Sequence, residues 1–303
     1  MTRLANLEKA GYFPLPSPVT ALILTHIAAP HGGRILDPCA GEGTALVTLA
    51  EELGLAPYGV ELHQGRAQAA QEAVEALLAR REEEIAPGAR HTLSGSYTNL
   101  LTSRSGYNLL YLNPPYDWDN EDGRLEYQFL WRNRPWLQPG GLLVWVVPQH
   151  LLKFRKAAKY ILSHFDDVRV YRFPGDSYDR FRQIVLFARR RPKAVPPERD
   201  AVDALRALAD GKGALPPLPA ADEPAYILPP LAVRDGAFTF RSMFVRPEEA
   251  LVESVEYGAG TTEEWRRHLD PAMAEAPLRP LTPLKIGHMN SVIASGHLNN
   301  QIL

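Results

Sequence analysis

The chain has 303 residues, 45% of them hydrophobic and 22% charged, with a formal net charge of −2. That length suits one large α/β domain with an appendage, and the composition excludes wholesale disorder. A single cysteine excludes an internal disulfide and a multi-cysteine zinc site; no run approaches a membrane span and the first apolar run lacks a basic lead, so a soluble, cytoplasmic protein is expected.

Strands and helices alternate through the first two-thirds. Behind the Pro-rich GYFPLPSP, the spacing predicts a helix over Val19–Ala29, opened by Ser17 or Pro18. RILDPCA reads as a strand, GTALVTLAEELG as a helix, APYGVEL as a strand, and Gln64 to about Ile85 as a long helix. HTLSGS is a short strand and NLLYL a longer one; Leu125–Leu137 reads as a helix closed by Pro139-Gly140-Gly141. LLVWVVP is a continuous apolar strand and HLLKFRKAAKYILSHF an amphipathic basic helix. VRVYRF and QIVLFAR are close enough to pair antiparallel across PGDSYDRF. Alternating βα units with apolar strands predict an α/β fold: a seven-stranded mixed sheet, Rossmann-like, with helices on both faces.

From Arg191 the texture changes. Residues 193–224 read as a Pro-rich linker holding one short helix over Ala201–Asp210, and residues 1–192 as the main domain. Residues 225–303 read as a small α+β extension, with two short strands around an Asp235-Gly236 turn. Near the end, GHMN and GHLN echo each other, too briefly for a repeat architecture.

Charge is unevenly spread. Residues 51–84 are rich in acids, whereas 153–191 carry a run of lysines and arginines against Asp166, Asp167, Asp176 and Asp179. A local basic excess is what a phosphate backbone requires; the bland alternative is a solvated helix face and a basic strand end.

Four pieces fall at the C-terminal ends of successive strands, where open α/β sheets bind ligands. Asp37-Pro38-Cys39-Ala40-Gly41-Glu42-Gly43-Thr44 joins strand to helix, and its glycines admit close backbone approach. Leu46 stands where a dinucleotide fingerprint has its third glycine, so the loop suits a ligand carboxylate better than a pyrophosphate. Glu61, ending its strand about twenty residues later, can accept from both hydroxyls of a ribose. Gly95-Ser96-Tyr97 is placed to meet an adenine ring. Asn113-Pro114-Pro115-Tyr116 is a stiff turn, since two prolines fix two backbone angles and remove two donors. The nine histidines lack metal-ligand spacing, and no metal is expected. His26, His31 and His164 read as surface or packing residues, Cys39 as a packing residue, and Trp131 and Trp136 as core.

Residues 12–190 resemble the class I S-adenosylmethionine-dependent methyltransferases, and Asn113-Pro114-Pro115-Tyr116 is similar to the NPPY signature of amino-methylating enzymes. The order GYFPLPSP, DPCAGEGT, NPPY is similar to the γ-group N6-adenine DNA methyltransferases of the TaqI type, and to a bacterial methyltransferase family with a short C-terminal extension. The resemblance implies S-adenosyl-L-methionine as cofactor, held by Tyr12, Phe13, Pro14, Asp37, Cys39, Ala40, Gly41, Gly43, Glu61, Leu62, Ser96, Tyr97 and Asn113. It implies Asn113, Pro114, Pro115 and Tyr116 as the catalytic corner, with Tyr116 on the target base and Phe181, or secondarily Phe173, as a second aromatic wall. Many relatives carry an acid where this chain has Ser96. The implied partner is DNA, in restriction-modification, defence or solitary modification, with residues 225–303 or a protein partner supplying target recognition. RNA (adenine-N6 or guanine-N2) and a protein glutamine amide present the same planar amine and stay open, as does a non-catalytic adaptor.

Overall fold

In a computed structural model, the described residues are 14–83, 89–116, 118–119, 123–175, 178, 182–210, 213 and 215–243. Seven strands form one sheet: β1 (Gly33–Asp37), β2 (Leu55–Glu61), β3 (Thr92–Ser94), β4 (Tyr107–Leu112), β5 (Leu137–Pro148), β6 (Phe165–Arg172) and β7 (Gln183–Arg190). Their order is β3-β2-β1-β4-β5-β7-β6, with β7 antiparallel to both neighbours and the other pairs parallel. The chain winds outward from β1 in both directions, so the switch point lies between β1 and β4. There the loops leaving two neighbouring strands diverge and open a crevice.

The helices are α1 (Ser17–Thr25), α2 (Thr44–Leu53), α3 (Gln64–Arg80), α4 (Leu125–Asn133), α5 (Arg155–His164) and α6 (Arg199–Ala207). Period-two alternation sends neighbouring strand residues to opposite faces. Ile35, Leu109, Val144 and Phe187 pack with α1, α2 and α3, while Leu36, Leu110, Trp145 and Leu186 pack with α4, α5 and α6.

Several element ends differ from expectation. The first helix stops at Thr25 instead of Ala29, and Ile27–Ala28 pairs in parallel with Tyr226–Ile227. The helix from Gln64 ends at Arg80, where Glu82 turns to a φ of 55°, and Ile85 lies outside the described residues. The helix from Leu125 ends at Asn133, because Pro135 has no N–H to continue it; a 3₁₀ turn follows and Leu137 already begins β5. HLLKFRKAAKYILSHF divides into a 3₁₀ turn over Gln149–Lys153 and α5.

The larger correction concerns residues 193–243. The expected linker is a strap built onto the main domain, and the expected domain edges at 192 and 224 do not separate packed units among the described residues. Leu218, Tyr226 and Leu228 are buried in the core on the α1 face, and Leu218 N–H donates to the Arg172 carbonyl at 2.9 Å. Nor do the two short strands around Asp235-Gly236 form a hairpin. Tyr226–Ile227 pairs with Ile27–Ala28, and Phe240–Ser242 pairs antiparallel with Leu100–Thr102. Residues 244–303 lie outside the described residues.

The strap is held at the N-terminal end of the sheet by buried polar side chains. Asn108 Nδ2 donates to the carbonyls of Gly32 (2.9 Å) and Pro229 (3.1 Å), and its Oδ1 accepts from Arg34 N–H (2.9 Å). Gln138 Nε2 donates to the Pro230 carbonyl at 2.8 Å, and Arg34 Nη1 to that of Val233 at 3.0 Å. Arg34 also pairs with Asp235 and lies 4.0 Å from the centre of the Phe238 ring. Gly33 is required here: with φ at 144°, a Cβ would come within 2.0 Å of the Asn108 side chain.

Candidate active site

At the opposite end of the sheet, the loops leaving β3, β2, β1 and β4 stand side by side in that order. The loop after β1 is shaped by glycine. Gly41 and Gly43 have φ of 58° and 81°, and a Cβ on Gly43 would meet the Ala70 Cα of α3 at 3.0 Å. Only glycine both turns this way and lets α3 come so close. Gly43 then caps α2, whose first N–H groups lie at this crevice.

Glu61 knots three segments together. Its Oε2 accepts Gly41 N–H at 2.9 Å, and its Oε1 accepts His63 N–H at 2.9 Å and Arg66 Nη2 at 2.7 Å. A carboxylate offers about four acceptor positions, so Oε2 keeps one for a ligand hydroxyl. The expected double acceptance from a ribose is therefore narrowed to one oxygen. Beside it Leu62 is 72% exposed, an apolar side chain at the lip of the crevice.

Asp37 ends β1 almost fully buried, its Oδ1 accepting Cys39 N–H at 3.0 Å. Burial pushes its carboxyl up to about 7, against the pull of that hydrogen bond. Burial and the Asp37 charge likewise raise the Cys39 thiol, while a backbone hydrogen bond from Asn113 draws it the other way. That last contact joins the glycine loop to the corner after β4. Ala40 is buried and its N–H donates to the Val60 carbonyl at 3.0 Å.

The corner itself follows Leu112. Pro114 is buried, and Asn113, Pro115 and Tyr116 are half-buried. The Tyr116 hydroxyl donates to Asn113 Oδ1 at 3.2 Å and accepts from Gln183 Nε2. Burial, with the nearby Glu126 carboxylate in a smaller role, raises the phenol well above its ordinary value. It stays a donor at neutral pH. The amide oxygen of Asn113 is thus aimed by a phenol that Gln183 aims in turn.

Not every expected residue arrives in this crevice. Ser96 Oγ turns back on its own loop, 2.8 Å from Thr98 Oγ1, and Tyr97 stacks on Phe129 with centroids 3.9 Å apart. Phe173 is wholly buried in the core, so it is no second wall to a base. Pro14 is exposed, whereas Tyr12, Phe13 and Phe181 lie outside the described residues. His26 packs between Tyr171 and Phe187, as a packing residue should. Trp131 and Trp136, expected in the core, are half-buried and line a cavity on the outer face. Gln183 was not anticipated. Its only signal is an amide heading an otherwise apolar strand, directly opposite Pro148 at the end of β5.

The residues present fit a nucleoside carrying an amino acid: a glycine-turned loop at a helix start, a buried carboxylate one strand over, and an exposed leucine next to it. A doubly wound sheet with its seventh strand reversed and this loop at its switch point is the Rossmann-like fold of class I methyltransferases.

The chain belongs to the uncharacterised methyltransferase family DUF6094, whose model matches residues 1–231. No curated protein matches the chain. Among solved structures it is similar to a Listeria monocytogenes protein assigned as a class I S-adenosylmethionine-dependent methyltransferase (16% identity, 70% of this chain and 77% of that one, TM-score 0.47). It is also similar to a type I restriction-modification methyltransferase subunit from Streptococcus thermophilus (13%, 67% and 54%, TM-score 0.42). A third is an RNA methyltransferase from Salinibacter ruber in complex with S-adenosyl-L-homocysteine (12%, 61% and 98%, TM-score 0.36).

Proposed function

We propose that the chain is an S-adenosylmethionine-dependent N6-adenine methyltransferase acting on DNA, with the NPPY corner of the TaqI-type enzymes it resembles. The observation that supports this most is the position of Asn113 and Pro114 at the end of β4, next to β1 across the switch point, with the Asn113 backbone hydrogen-bonded to Cys39 of the glycine loop. Asp37, Cys39, Ala40, Gly41, Gly43, Glu61 and Leu62 are the residues that hold the cofactor, with Pro14, Tyr12 and Phe13 at its methionine end. Bound there, S-adenosylmethionine supplies an electrophilic methyl group.

The protein's part is positional. An exocyclic adenine amine is a weak nucleophile because its lone pair is shared with the ring. Asn113 Oδ1 and the Pro114 carbonyl accept its two N–H groups and favour the pyramidal, nucleophilic form. Pro114 and Pro115 keep those oxygens in place. Tyr116 gives up Asn113 Oδ1 as the amine enters and packs on the base, which a duplex must flip out to deliver, with Phe181 as the opposite wall. Arg155, Lys156 and Lys159 are exposed along α5 and make no ion pair among the described residues, so they are the cations that meet phosphates. Target recognition falls to residues 244–303 or to a protein partner, because residues 225–243 are committed to the strap.

The test is direct. The protein is incubated with methyl-labelled cofactor and separate pools of duplex DNA, single-stranded DNA, RNA and protein, and the labelled product is identified. N6-methyladenine in DNA, lost in Asn113→Ala, is the expected result; label confined to RNA or to protein overturns the DNA assignment.

A further inference from the structure

On the outer face of α4 and α5 is a cavity of about 450 Å³ lined mainly by Tyr97, Trp131, Trp136, Tyr160, Arg132 and Arg134. Tyr97 and the neighbouring Thr98, from the loop after β3, form one wall, and Pro135 and Trp136, which lead into the N-terminal end of β5, form another. Two half-buried tryptophans share this surface cavity with arginine, and among the described residues no acid lines it. Arg134 is held in place, its Nε donating to the Tyr160 hydroxyl at 2.6 Å and its guanidinium 5.7 Å from the centre of that ring. Its two Nη groups have no protein partner among the described residues, which leaves a fixed, forked donor at the cavity wall.

The surroundings are positive. Burial and the charges of Arg134 and Arg104 push the neighbouring Arg190 down to about 10, although Tyr160 opposes them. His164, stacked on Tyr160 at 4.1 Å, is lowered by burial and by the same Arg134. Arg190 is pinned from behind, donating to the Pro135 carbonyl at 3.4 Å. An anion at the cavity relieves this repulsion; a carboxylate-bearing peptide does so too, but leaves the aromatic walls without a flat partner.

We propose that this cavity binds an unpaired nucleotide, its base against the tryptophan and tyrosine rings and its phosphate on Arg134. Aromatic walls accept any base through its π-face, and a bidentate guanidinium suits a phosphate better than any neutral group. A volume of this size matches a small-ligand pocket of one nucleotide. The proposal goes beyond the reading of the crevice and does not need methyl transfer to be true.

Intrinsic tryptophan fluorescence is titrated at low salt with thymidine 5′-monophosphate and, separately, with an eight-residue oligothymidylate, neither of which carries adenine. Saturable quenching is expected, weakened at least tenfold in Arg134→Gln and by raised salt, partly restored in Arg134→Lys, and kept within about threefold in Trp131→Phe. Both variants at Arg134 are checked for cooperative thermal unfolding. Quenching by the oligomer alone assigns the cavity to a strand, and quenching by both ligands assigns it to free nucleotides as well. Absence of saturable quenching with either ligand, or an Arg134→Gln protein of unchanged affinity, overturns the proposal. A protein that binds here yet methylates no polymer refutes the reading of the crevice and leaves this one standing.

Discussion

β4 carries an asparagine near each end, five residues apart, and the two are put to opposite uses. Asn108 at the start is fully buried, and every polar atom of its side chain meets backbone: Arg34 N–H, the Gly32 carbonyl and the Pro229 carbonyl. Asn113, just past the end, is half-buried, and its oxygen receives the hydroxyl of the Tyr116 side chain. An amide paired with backbone on all sides can only hold the fold together. One paired with a side chain, beside a glycine-turned loop, can exchange that partner for a ligand. β1 repeats the contrast: Arg34 at its start is buried and engaged by the Gly106 carbonyl and by the strap, while Asp37 at its end is buried with a carboxyl that burial raises to about 7.

Exchange of partners at one end and permanence at the other can be broken apart by substitution. The largest effect is expected for Asn113→Ala, which should lower methyl transfer by about 10²- to 10³-fold, the range for removing one preorganised polar contact to a reacting group, with the urea midpoint nearly unchanged. An Asn113→Ala protein that loses stability instead would place Asn113 with Asn108, among the structural residues.

Asn108→Ala should do the reverse. It leaves one N–H and two carbonyls buried without partners, at about 3 kcal/mol in all, read as a lower urea midpoint, while activity per folded molecule holds. Limited proteolysis of the strap at low urea would sharpen this, since release of 225–243 should precede global unfolding.

Asp37 supplies a pH-dependent version. Its carboxyl is raised from 3.8 to about 7, so below 3.8 both folded and unfolded chains bind the proton and no penalty arises. Between 3.8 and about 7 the unfolded chain ionises first, and stability contributed by this group drains away as pH rises. Asp37→Asn, neutral throughout, should flatten that slope in the cofactor-free protein, while no such change is expected for a substitution at Arg34. Urea midpoints of the two variants across this interval decide it.

How much of this is readable in the linear chain depends on whether the signal is local. The strands are, because the inner ones are apolar runs buried on two faces and the edge strands β3 and β6 alternate, and so is the turn after β4, because two adjacent prolines admit few conformations. The glycine loop and Glu61 are legible as residues but not as a knot; Arg66 on Glu61 appears only once α3 is docked. The strap is the clearest miss. Proline-rich sequence looks like linker because it forms no local hydrogen bonds, yet proline keeps its carbonyl, and here Pro216, Pro219, Pro229 and Pro230 all present theirs to distant partners. Asp235-Gly236 misleads for a related reason: the residues flanking it find better-placed edges at Ile27–Ala28 and Leu100–Thr102 than each other. The basic run from 153 to 191 divides the same way. Arg169, Arg189, Arg190 and Arg191 are spent on carbonyls, carboxylates and rings around β6 and β7, whereas Arg155, Lys156 and Lys159 of α5 are exposed and make no ion pair among the described residues.

The smallest expected effect falls on Gln183, which no local pattern marks. Its amide donates to the Tyr116 oxygen, and that phenol is held protonated by burial, so its own hydrogen is directed at Asn113 Oδ1. Gln183 is therefore a positioning residue, acting through Tyr116 on the acceptor. Gln183→Leu is nearly isosteric but cannot donate, and it leaves the tyrosine free to rotate. A fall of about tenfold in kcat is expected, with KM for the methyl donor unchanged, because no contact of Glu61 or the glycine loop is touched. Gln183→Glu separates orientation from packing: its carboxylate keeps the shape but accepts where the amide donated, turning the phenol's hydrogen away from Asn113. If both variants transfer methyl groups at the parental rate, the relay is only packing, and Asn113 is aimed by the diproline turn alone.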